Sequence, residues 1–345
     1  MKRFLVSILR FGIVAAILVF LFRSGQFEPA KLVKIFARPD LFLAGTFFII
    51  STTLIGALRW RLLVRIQNVN LGVWESIKLT YIGLFFSAAL PGAVSGDIVK
   101  AYHVARGRHQ KAALATSVVF DRVLGLYTLI LAGTVAVFIG VAGELFTGEA
   151  GAWSNFYMQT VGLFVVALFG LLTVCGGLFM SSRVRRSALM ERLLAKLPFQ
   201  KTAAEIYDAV YSYGRKPALT LKAAVLSAEA QIPLYLGIWC FAVLLDIEEL
   251  SGLDYIIALP VSLVINAIPV APGGLGIGEA GFSAVFSIFG SSEGAELAML
   301  FHAVFLVLAV GLGGLMYLFM DVLGKNREKA KLQQPPQSGH QFKLE

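Results

Sequence analysis

The chain has 345 residues, of which 57% are hydrophobic and only 15% are charged, and its formal net charge is +9 at pH 7. Soluble domains carry roughly 25% charged residues, so the composition excludes a soluble globular protein and indicates an integral membrane protein. The basic residues are spread over several short segments between apolar runs, which excludes a nucleic-acid-binding patch as the cause of the positive charge.

Apolar runs of about 20 residues are long enough to cross a bilayer as helices. The sequence contains six such runs or close approaches to them, at 11–22, 41–58, 123–141, 160–180, 219–245 and 295–319. We therefore predict six transmembrane crossings. The first run follows Lys2 and Arg3, as in a signal peptide, but no small-residue cleavage pattern follows Phe22, so we expect this helix to be retained.

The distribution of charge predicts the orientation of these crossings. Three segments contain acidic residues and no lysine or arginine: 142–159, 246–254 and 290–296. Basic residues concentrate in other segments, at 59–65, 106–111, 183–201 and 325–331. The positive-inside rule places the basic segments in the cytoplasm and the acidic ones on the translocated side, so both termini are expected to be cytoplasmic.

Two segments lie between loops of the same charge type and therefore cannot be complete crossings. The apolar stretch 77–90 has basic loops on both sides, which predicts a re-entrant hairpin at 73–105 that enters from the cytoplasm and returns there. The segment 253–290 has acidic loops on both sides, which predicts a second hairpin that enters from the opposite side.

Both predicted hairpins contain the same turn pattern, in which Pro-Gly is followed after a few residues by Gly and an acid. Proline ends a helix, glycine accepts unusual dihedral angles, and the acid caps the next helix. The predicted turn-forming residues are Pro91, Gly92, Gly96, Pro272, Gly273, Gly274, Gly276 and Gly278. Ordinary kinked crossings also tolerate proline and glycine, and that alternative stays open.

Each hairpin lies between two crossings, and the second group runs in the opposite direction to the first. The predicted fold class is all-α: a polytopic membrane domain at 1–324 with six crossings, two oppositely oriented re-entrant hairpins and an inverted repeat. Inverted repeats with broken helices are typical of alternating-access transporters, which bind their substrates near the middle of the membrane.

Ionisable side chains at membrane depth cost roughly 2.5–3.5 kcal/mol on insertion scales, so each one is a candidate site residue. The candidate substrate-binding residues are Asp97, Lys100, His103, Asp121, Arg122, Glu229, Asn266 and Glu279. The sequence has no P-loop, HExxH, GxSxG or CxxC motif, and we expect neither a metal ion nor a cofactor.

The candidate residues have different predicted roles. Asp97 and Glu279 begin the second helices of the two hairpins, where a carboxylate either caps the helix or contacts an ammonium headgroup. Lys100 and His103 lie on one helical face, in the path of an anionic headgroup. Arg122 is the only arginine predicted at membrane depth, and a guanidinium binds a phosphate through two hydrogen bonds.

Asp121 and Arg122 are adjacent and point about 100° apart on a helix, so each needs another partner. We expect Asp121 to pair with Lys100, and Arg122 to pair with Glu279 or with substrate. Glu229 interrupts a predicted crossing, where it serves either as a proton relay or as a neutral carboxyl group bonded to a neighbouring helix.

Two further polar residues have structural interpretations. Asn266 precedes the second turn and is expected to donate to its carbonyl groups, and His302 is expected to pack as a polar residue inside the last crossing. The segment 185–215 is amphipathic, and we expect it to lie on the anionic inner leaflet or to dock a partner enzyme. The basic, polar tail 325–345 is predicted to be disordered.

Three blocks of the chain, "LPGAVSGDIVKAYHVAR", "DRVLGLYTL" and "NAIPVAPGGLGIGEAGF", resemble those of the lysylphosphatidylglycerol synthase transmembrane region, a flippase-like family of bacterial membrane proteins. The resemblance extends from about Leu5 to Leu323. It implies a lipid-handling domain in the cytoplasmic membrane. The full synthases continue into a cytosolic aminoacyltransferase domain, a departure from which we expect that this chain handles lipids without making the modified lipid itself.

These features predict a protein that moves a phospholipid or a lipid-linked headgroup between leaflets. Its expected partners are anionic or phosphate-bearing membrane lipids and, in a second role, a separately encoded lipid-modifying enzyme, whereas nucleic acid is not expected. The alternative is an intramembrane enzyme or accessory subunit in lipid-headgroup or lipid-linked sugar modification, with Asp97, His103 and Glu279 as acid–base groups. No spaced catalytic triad supports the enzyme.

Overall fold

A computed structural model describes residues 36–89, 95–106, 108–148, 156–187, 200–247, 250–266 and 277–319. Within these ranges the regular secondary structure is entirely helical, which confirms the all-α prediction. The first crossing predicted at 11–22 and the tail 325–345 lie outside the described residues.

The first half of the chain forms helices α1 (Pro39–Ile66), α2 (Val73–Ala89), α3 (Ser95–Ala105), α4 (Lys111–Thr147) and α5 (Phe156–Met180). A short helix, α6 (Ser182–Arg185), is followed by α7 (Gln200–Arg215), α8 (Pro217–Glu229) and α9 (Gln231–Leu244). The last part contains α10 (Gly252–Asn266), α11 (Ile277–Ile288) and α12 (Gly294–Leu308). The final helix α12 continues through a π-helical turn, Ala309–Gly313, into α13 (Gly314–Leu318).

Local sequence explains several of these boundaries. Pro39 and Pro217 begin α1 and α8, at a position where the missing N–H of proline has no partner to lose. Gly148 ends α4 with a φ of 69°, in the left-handed region that glycine occupies at helix C-termini.

Five helical stretches are long and apolar enough to cross a membrane: Pro39–Ile66, Lys111–Thr147, Met158–Met180, Pro217–Leu244 and Gly294–Leu318. They correspond to the last five of the six predicted crossings. The chain is therefore a multi-pass membrane protein. Helix α4 has 37 residues, which makes it about 55 Å long and well over the ~30 Å of the bilayer hydrocarbon.

The segment predicted as the first hairpin forms two helices, α2 and α3, that pack against each other. Gly96 on α3 approaches Gly83 on α2 so closely that a Cβ atom on Gly96 would overlap the Gly83 carbonyl oxygen. Only glycine permits this contact. The predicted turn residues Pro91 and Gly92 lie outside the described residues.

The segment predicted as the second hairpin likewise forms two packed helices, α10 and α11. A Cβ atom on Gly281 would lie 2.6 Å from Ile265 Cγ2, and Gly278 on α11 lies directly against Asn266 on α10. The remaining predicted turn residues lie outside the described part of the chain: Pro272, Gly273, Gly274 and Gly276.

The first helix of the second hairpin packs against the distal half of α4. A Cβ atom on Gly133 would lie 3.3 Å from Pro260 Cβ on α10. Ile257 shares an apolar cluster with Val137, further along α4. Later residues of α4 thus meet earlier residues of α10, so these two helices run antiparallel.

Helix α2 has a comparable contact with the last helix that the structure describes. Gly313, in the π-helical turn, lies directly against the Tyr81 carbonyl oxygen and the Phe85 side chain on α2. The second helices of the hairpins pack elsewhere, since α3 contacts α4 and α11 contacts α12. Each of the two helix pairs is therefore held between two long helices.

The largest apolar cluster joins α1, α4, α5 and α9 to the second hairpin and α12, and Phe241, Phe282 and Phe286 are fully buried in it. Gly45 on α1 leaves room for the Phe241 ring. Because lipid tails are as apolar as these side chains, close van der Waals packing and not water exclusion stabilises such contacts.

The predicted amphipathic segment 185–215 is described at α6 and α7, and α7 packs on protein. The Tyr213 ring stacks on Phe120 of α4, with ring centroids 3.9 Å apart, and burial raises the pKa of Tyr213. The buried residues of α7 are Tyr207, Ala209 and Tyr213, whereas Ile206 is exposed. The buried face of α7 therefore contacts other helices instead of lipid.

Candidate functional site

Asp121 is the centre of a buried ionic cluster between α1, α3 and α4. Its carboxylate accepts a hydrogen bond from Arg59 Nε at 2.8 Å, and Lys100 Nζ lies 3.7 Å from the other oxygen. The same ammonium lies 3.9 Å from the ring centroid of Trp60. The predicted Asp121–Lys100 pair is confirmed. A buried carboxylate between two cations is compensated, whereas an isolated one costs several kcal/mol.

The position of Arg59 differs from the prediction. The sequence placed Arg59 in a cytoplasmic loop, but α1 continues to Ile66 and Arg59 lies about 10 Å before its end. Arg59 is therefore part of a helix long enough to cross the membrane, and it shares the Asp121 carboxylate with Lys100. Arginine is a good helix former, and its charge is compensated by Asp121, which lies 62 positions away in the sequence.

A chain of hydrogen bonds extends from Arg59 to the junction of α8 and α9. Arg59 Nη1 donates to Ser227 Oγ at 2.8 Å, and the hydroxyl oxygens of Ser227 and Thr128 are 2.8 Å apart. Gln231 Nε2 donates to Thr128 Oγ1 at 3.4 Å. The ionic cluster is thus connected to the middle of the Pro217–Leu244 crossing, a link that the sequence analysis missed.

A second ion pair joins α3 to α4 and is more open. Arg122 Nε lies 2.9 Å from Asp97 Oδ2, and the Arg122 side chain is 57% exposed. The predicted pair between Arg122 and Glu279 is wrong, because Asp97 lies directly beside α4 whereas Glu279 contacts His302 on α12. Ile98, adjacent to Asp97, is also exposed, so the pair lies on a largely apolar surface.

The two ion pairs together contain an excess of positive charge. Three cations, Arg59, Lys100 and Arg122, face the two carboxylates of Asp97 and Asp121. One formal positive charge remains, and Arg122 is the most exposed of the five side chains. The excess charge thus lies beside the exposed guanidinium of Arg122, whose planar group offers paired N–H donors.

A second polar cluster joins α10, α11 and α12. His302 Nδ1 lies 2.9 Å from Glu279 Oε1, and His302 Nε2 lies 3.0 Å from Asn266 Oδ1. His302 is buried, as predicted, but the sequence favoured packing alone for it, whereas its two ring nitrogens contact two predicted site residues. Its only signal in the sequence is that it is the one histidine inside a predicted crossing. The predicted bonds from Asn266 to the turn fall outside the described residues.

Two predicted site residues lie apart from both clusters. Glu229 is exposed at the C-terminal end of α8. His103 is half-buried, and its Nδ1 lies 2.8 Å from the Val99 carbonyl oxygen of its own helix. The row predicted on α3 begins at the ionic cluster, where Lys100 is buried, and His103 lies one turn further along the helix.

The described residues contain no group of three or more His, Cys, Asp or Glu side chains that could hold a metal ion. Cys175 and Cys240 are free thiols. The site is accordingly described by its ion pairs and hydrogen bonds.

Comparison with protein families gives a match to the lysylphosphatidylglycerol synthase transmembrane region over residues 7–313. The chain belongs to this family. Both polar clusters and both helix pairs lie within the matched residues, and membership in the lysylphosphatidylglycerol synthase transmembrane-region family relates the protein to lipid modification or transport. No curated protein and no solved structure matches the chain.

Proposed function

We propose that this family member moves the headgroup of a phospholipid, or of a lipid-linked compound, between the two leaflets of the bacterial cytoplasmic membrane. The headgroup carries a phosphate. In this proposal Arg122 contacts the phosphate first, and Lys100 and Arg59 add positive charge behind it.

The exposed Arg122–Asp97 pair is the main support for this function. A charged side chain at membrane depth costs roughly 2.5–3.5 kcal/mol on insertion scales, so an exposed one needs water or an ionic partner. Ile98, Val119 and Val123 around the pair are exposed and apolar. A lipid complements this surface, because its phosphate meets Arg122 while its acyl chains meet the apolar side chains.

The spacing between the two clusters supports a single pathway. Arg122 precedes Gly133 by 11 residues, or about 16 Å along α4, and Asn266 follows Pro260 by six residues, or about 9 Å along α10. Because Gly133 packs on Pro260 and the two helices are antiparallel, the clusters differ in height by about 8 Å.

The last helix gives a second measure of the same spacing. His302 precedes Gly313 by 11 residues, or about 16 Å. Gly313 packs on Tyr81, two residues from Gly83, and Gly83 contacts α3 immediately before Asp97. By this path the clusters are about 16 Å apart along the helix axes. This is twice the value obtained through α4 and α10, and it is still close to half of the ~30 Å hydrocarbon thickness.

Corresponding positions in the two halves support the proposed inverted repeat. Asp97 and Glu279 are each the third residue of the helix after a predicted turn, and each contacts a basic side chain, Arg122 or His302, on the following helix. Eleven residues after each basic residue, the same helix presents the glycine that packs on the opposite hairpin.

This symmetry suggests how the headgroup crosses. We propose that both hairpins are re-entrant, that the first enters from the cytoplasm and the second from the opposite side, and that both termini are cytoplasmic. The basic ends of α1 and α3 then face the cytoplasm, as the positive-inside rule requires. The headgroup passes from the Arg122 cluster to the His302 cluster when the two halves exchange their arrangement.

Reconstitution into vesicles tests this function. A fluorescent phosphatidylglycerol and an impermeant quencher measure the rate at which the lipid changes leaflet. We expect acceleration by the wild type and a rate at least about tenfold lower for Arg122→Gln, since hydrogen bonds to charged groups contribute ~1.5–3 kcal/mol. Arg106→Gln is the matched control, because Arg106 is an exposed arginine directly after α3 and belongs to neither polar cluster.

The substrate class is tested with a labelled glycolipid that has no phosphate, which is expected not to move. Wild-type rates in Arg122→Gln would remove the Arg122 site from the mechanism. Chemical conversion of the labelled lipid would instead assign an intramembrane enzyme, and activity only with a second protein would assign an accessory subunit.

A further inference from the structure

We infer a second anion-binding site, separate from the clusters above, in a cavity between α6 and α7 that binds a phosphate monoester. The cavity has a volume of about 510 Å³ and is lined by Arg185, Arg186, Asp208, Tyr211, Ser212 and Arg215. Ligand sites in proteins typically enclose ~300–1,000 Å³, so a phosphate on a small organic group fits this space.

The cavity has a positive charge in excess of its own ion pair. Arg185 is compensated by Asp208, with Nη2 2.7 Å and Nε 2.8 Å from Asp208 Oδ1. Arg186 and Arg215 line the same cavity and leave two formal positive charges in excess. The positive-inside rule explains basic residues at this end of a crossing, but it does not require that three of them converge on one cavity from two helices.

The lining residue types match a phosphate monoester. All three cations are arginines, whose planar guanidinium groups bind phosphate oxygens in pairs. A phosphate monoester has a charge of about −1.5 to −2 at pH 7, which balances the two excess charges. Ser212 Oγ donates to the Ala209 carbonyl oxygen at 2.7 Å, so we expect the Tyr211 hydroxyl to be the neutral donor to the ligand.

The cavity adjoins the ends of two crossings. Helix α6 begins two residues after Met180, the last residue of α5, and α7 ends two residues before Pro217, the first residue of α8. Leu178 and Phe179, in the last turn of α5, are exposed. A lipid phosphate monoester therefore reaches the cavity with its acyl chains along α5, and a soluble phosphate monoester has the same recognised chemistry.

Calorimetric titration of the full-length protein in phosphatidylcholine nanodiscs tests the site. Short-chain phosphatidic acid represents a lipid phosphate monoester, and glycerol 3-phosphate represents a soluble one. We expect Arg186→Gln/Arg215→Gln to weaken binding at least about tenfold, from the loss of two charged donors. Arg183→Gln is the control, because Arg183 is an exposed arginine of α6 that does not line the cavity, and its affinity should equal that of the wild type.

Asp208→Asn removes the lining carboxylate and should strengthen binding severalfold, which a general effect on folding would not produce. Binding of phosphatidic acid alone would identify a lipid headgroup as the ligand, and comparable binding of both probes would identify a soluble phosphate monoester. The site would be refuted by no binding to the wild type, by equal weakening in Arg183→Gln and the double variant, or by weaker binding in Asp208→Asn. Because the readout is binding, the result does not depend on lipid translocation.

Discussion

Gly96 on α3 lies directly against the main chain of Gly83 on α2, so the two helices of this pair touch through their backbones. A methyl group on Gly96 would meet the Gly83 carbonyl oxygen as well as the Ser87 hydroxyl, and because the carbonyl belongs to the main chain the helices themselves would have to move apart. We expect Gly96→Ala to lower the free energy of unfolding by at least about 1–3 kcal/mol, the usual cost of overpacking. Unfolding in bicelles measures it. Gly170→Ala on α5, where an added Cβ meets nothing within 4 Å, is the control, and equal stability of the two variants would contradict the close contact.

The buried Arg59–Asp121 pair should be strongly coupled. Removal of Asp121 leaves Arg59 and Lys100 without their shared carboxylate. We therefore expect Asp121→Asn to lower the free energy of unfolding by about 3–5 kcal/mol. A double-mutant cycle with Arg59→Gln should give a coupling energy of about 1–3 kcal/mol.

A half-exposed pair provides the comparison for that cycle. Arg108 and Glu75 lie 3.7 Å apart, and a cycle between Arg108→Gln and Glu75→Gln should give less than about 1 kcal/mol. Equal coupling energies in the two cycles would show that burial adds nothing to the Arg59–Asp121 pair.

Arg122 should depend on both charge and shape. Arg122→Lys keeps the charge but loses the planar pair of donors, so its rate in the vesicle assay should lie between those of the wild type and Arg122→Gln. We expect a reduction of about threefold for the lysine variant, which corresponds to ~0.6 kcal/mol. A glutamine variant faster than the lysine variant would contradict a role for the positive charge.

Gly278 and His302 should be coupled through space. A Cβ atom on Gly278 would collide with Asn266 Oδ1 and with the His302 ring. We therefore expect Gly278→Ala to lower the free energy of unfolding by about 1–3 kcal/mol when His302 is present. In a His302→Ala background the same substitution should lower it by about 1 kcal/mol less. Unfolding measurements on the four proteins of this cycle test the coupling, and additive costs would show that the methyl group avoids the ring.

Cysteine labelling tests the proposed paths of the hairpins after Cys175 and Cys240 are replaced by serine. Exposed positions flank both helix pairs, with Arg65 and Arg106 around the first and Ser251 and Ser292 around the second. An impermeant maleimide should label Arg65→Cys and Arg106→Cys from one side of the membrane, and Ser251→Cys and Ser292→Cys from the other. Labelling of the two members of either pair from opposite sides would show that the intervening segment crosses completely.

The helical segments and the positions of several charged candidates were predictable because both depend on patterns that are local in the sequence. Length and hydropathy predicted the five described crossings. The recurrence of Gly and an acid after Pro-Gly identified Asp97 and Glu279, which the structure places at the same position of α3 and α11. Adjacent charges at Asp121 and Arg122 indicated that each has a separate partner, which is confirmed.

The partners themselves depend on packing between distant segments, which no local pattern records. Arg59 resembled a loop residue because Arg61 and Arg65 follow it, but the helix continues and Asp121 compensates its charge. On α7, the amphipathic spacing favoured a helix on the membrane surface, whereas the stacking of Tyr213 on Phe120 packs its buried face against α4.

The π-helical turn at Ala309–Gly313 changes the direction in which the last described helix presents its side chains. Such a turn holds one extra residue, and each residue of an α-helix adds about 100° of rotation. Residues beyond the turn are therefore offset by about 100° from the faces that an uninterrupted α-helix would give them. One continuous helix thus serves two partners, with His302 directed at α11 before the turn and Gly313 directed at α2 at its end.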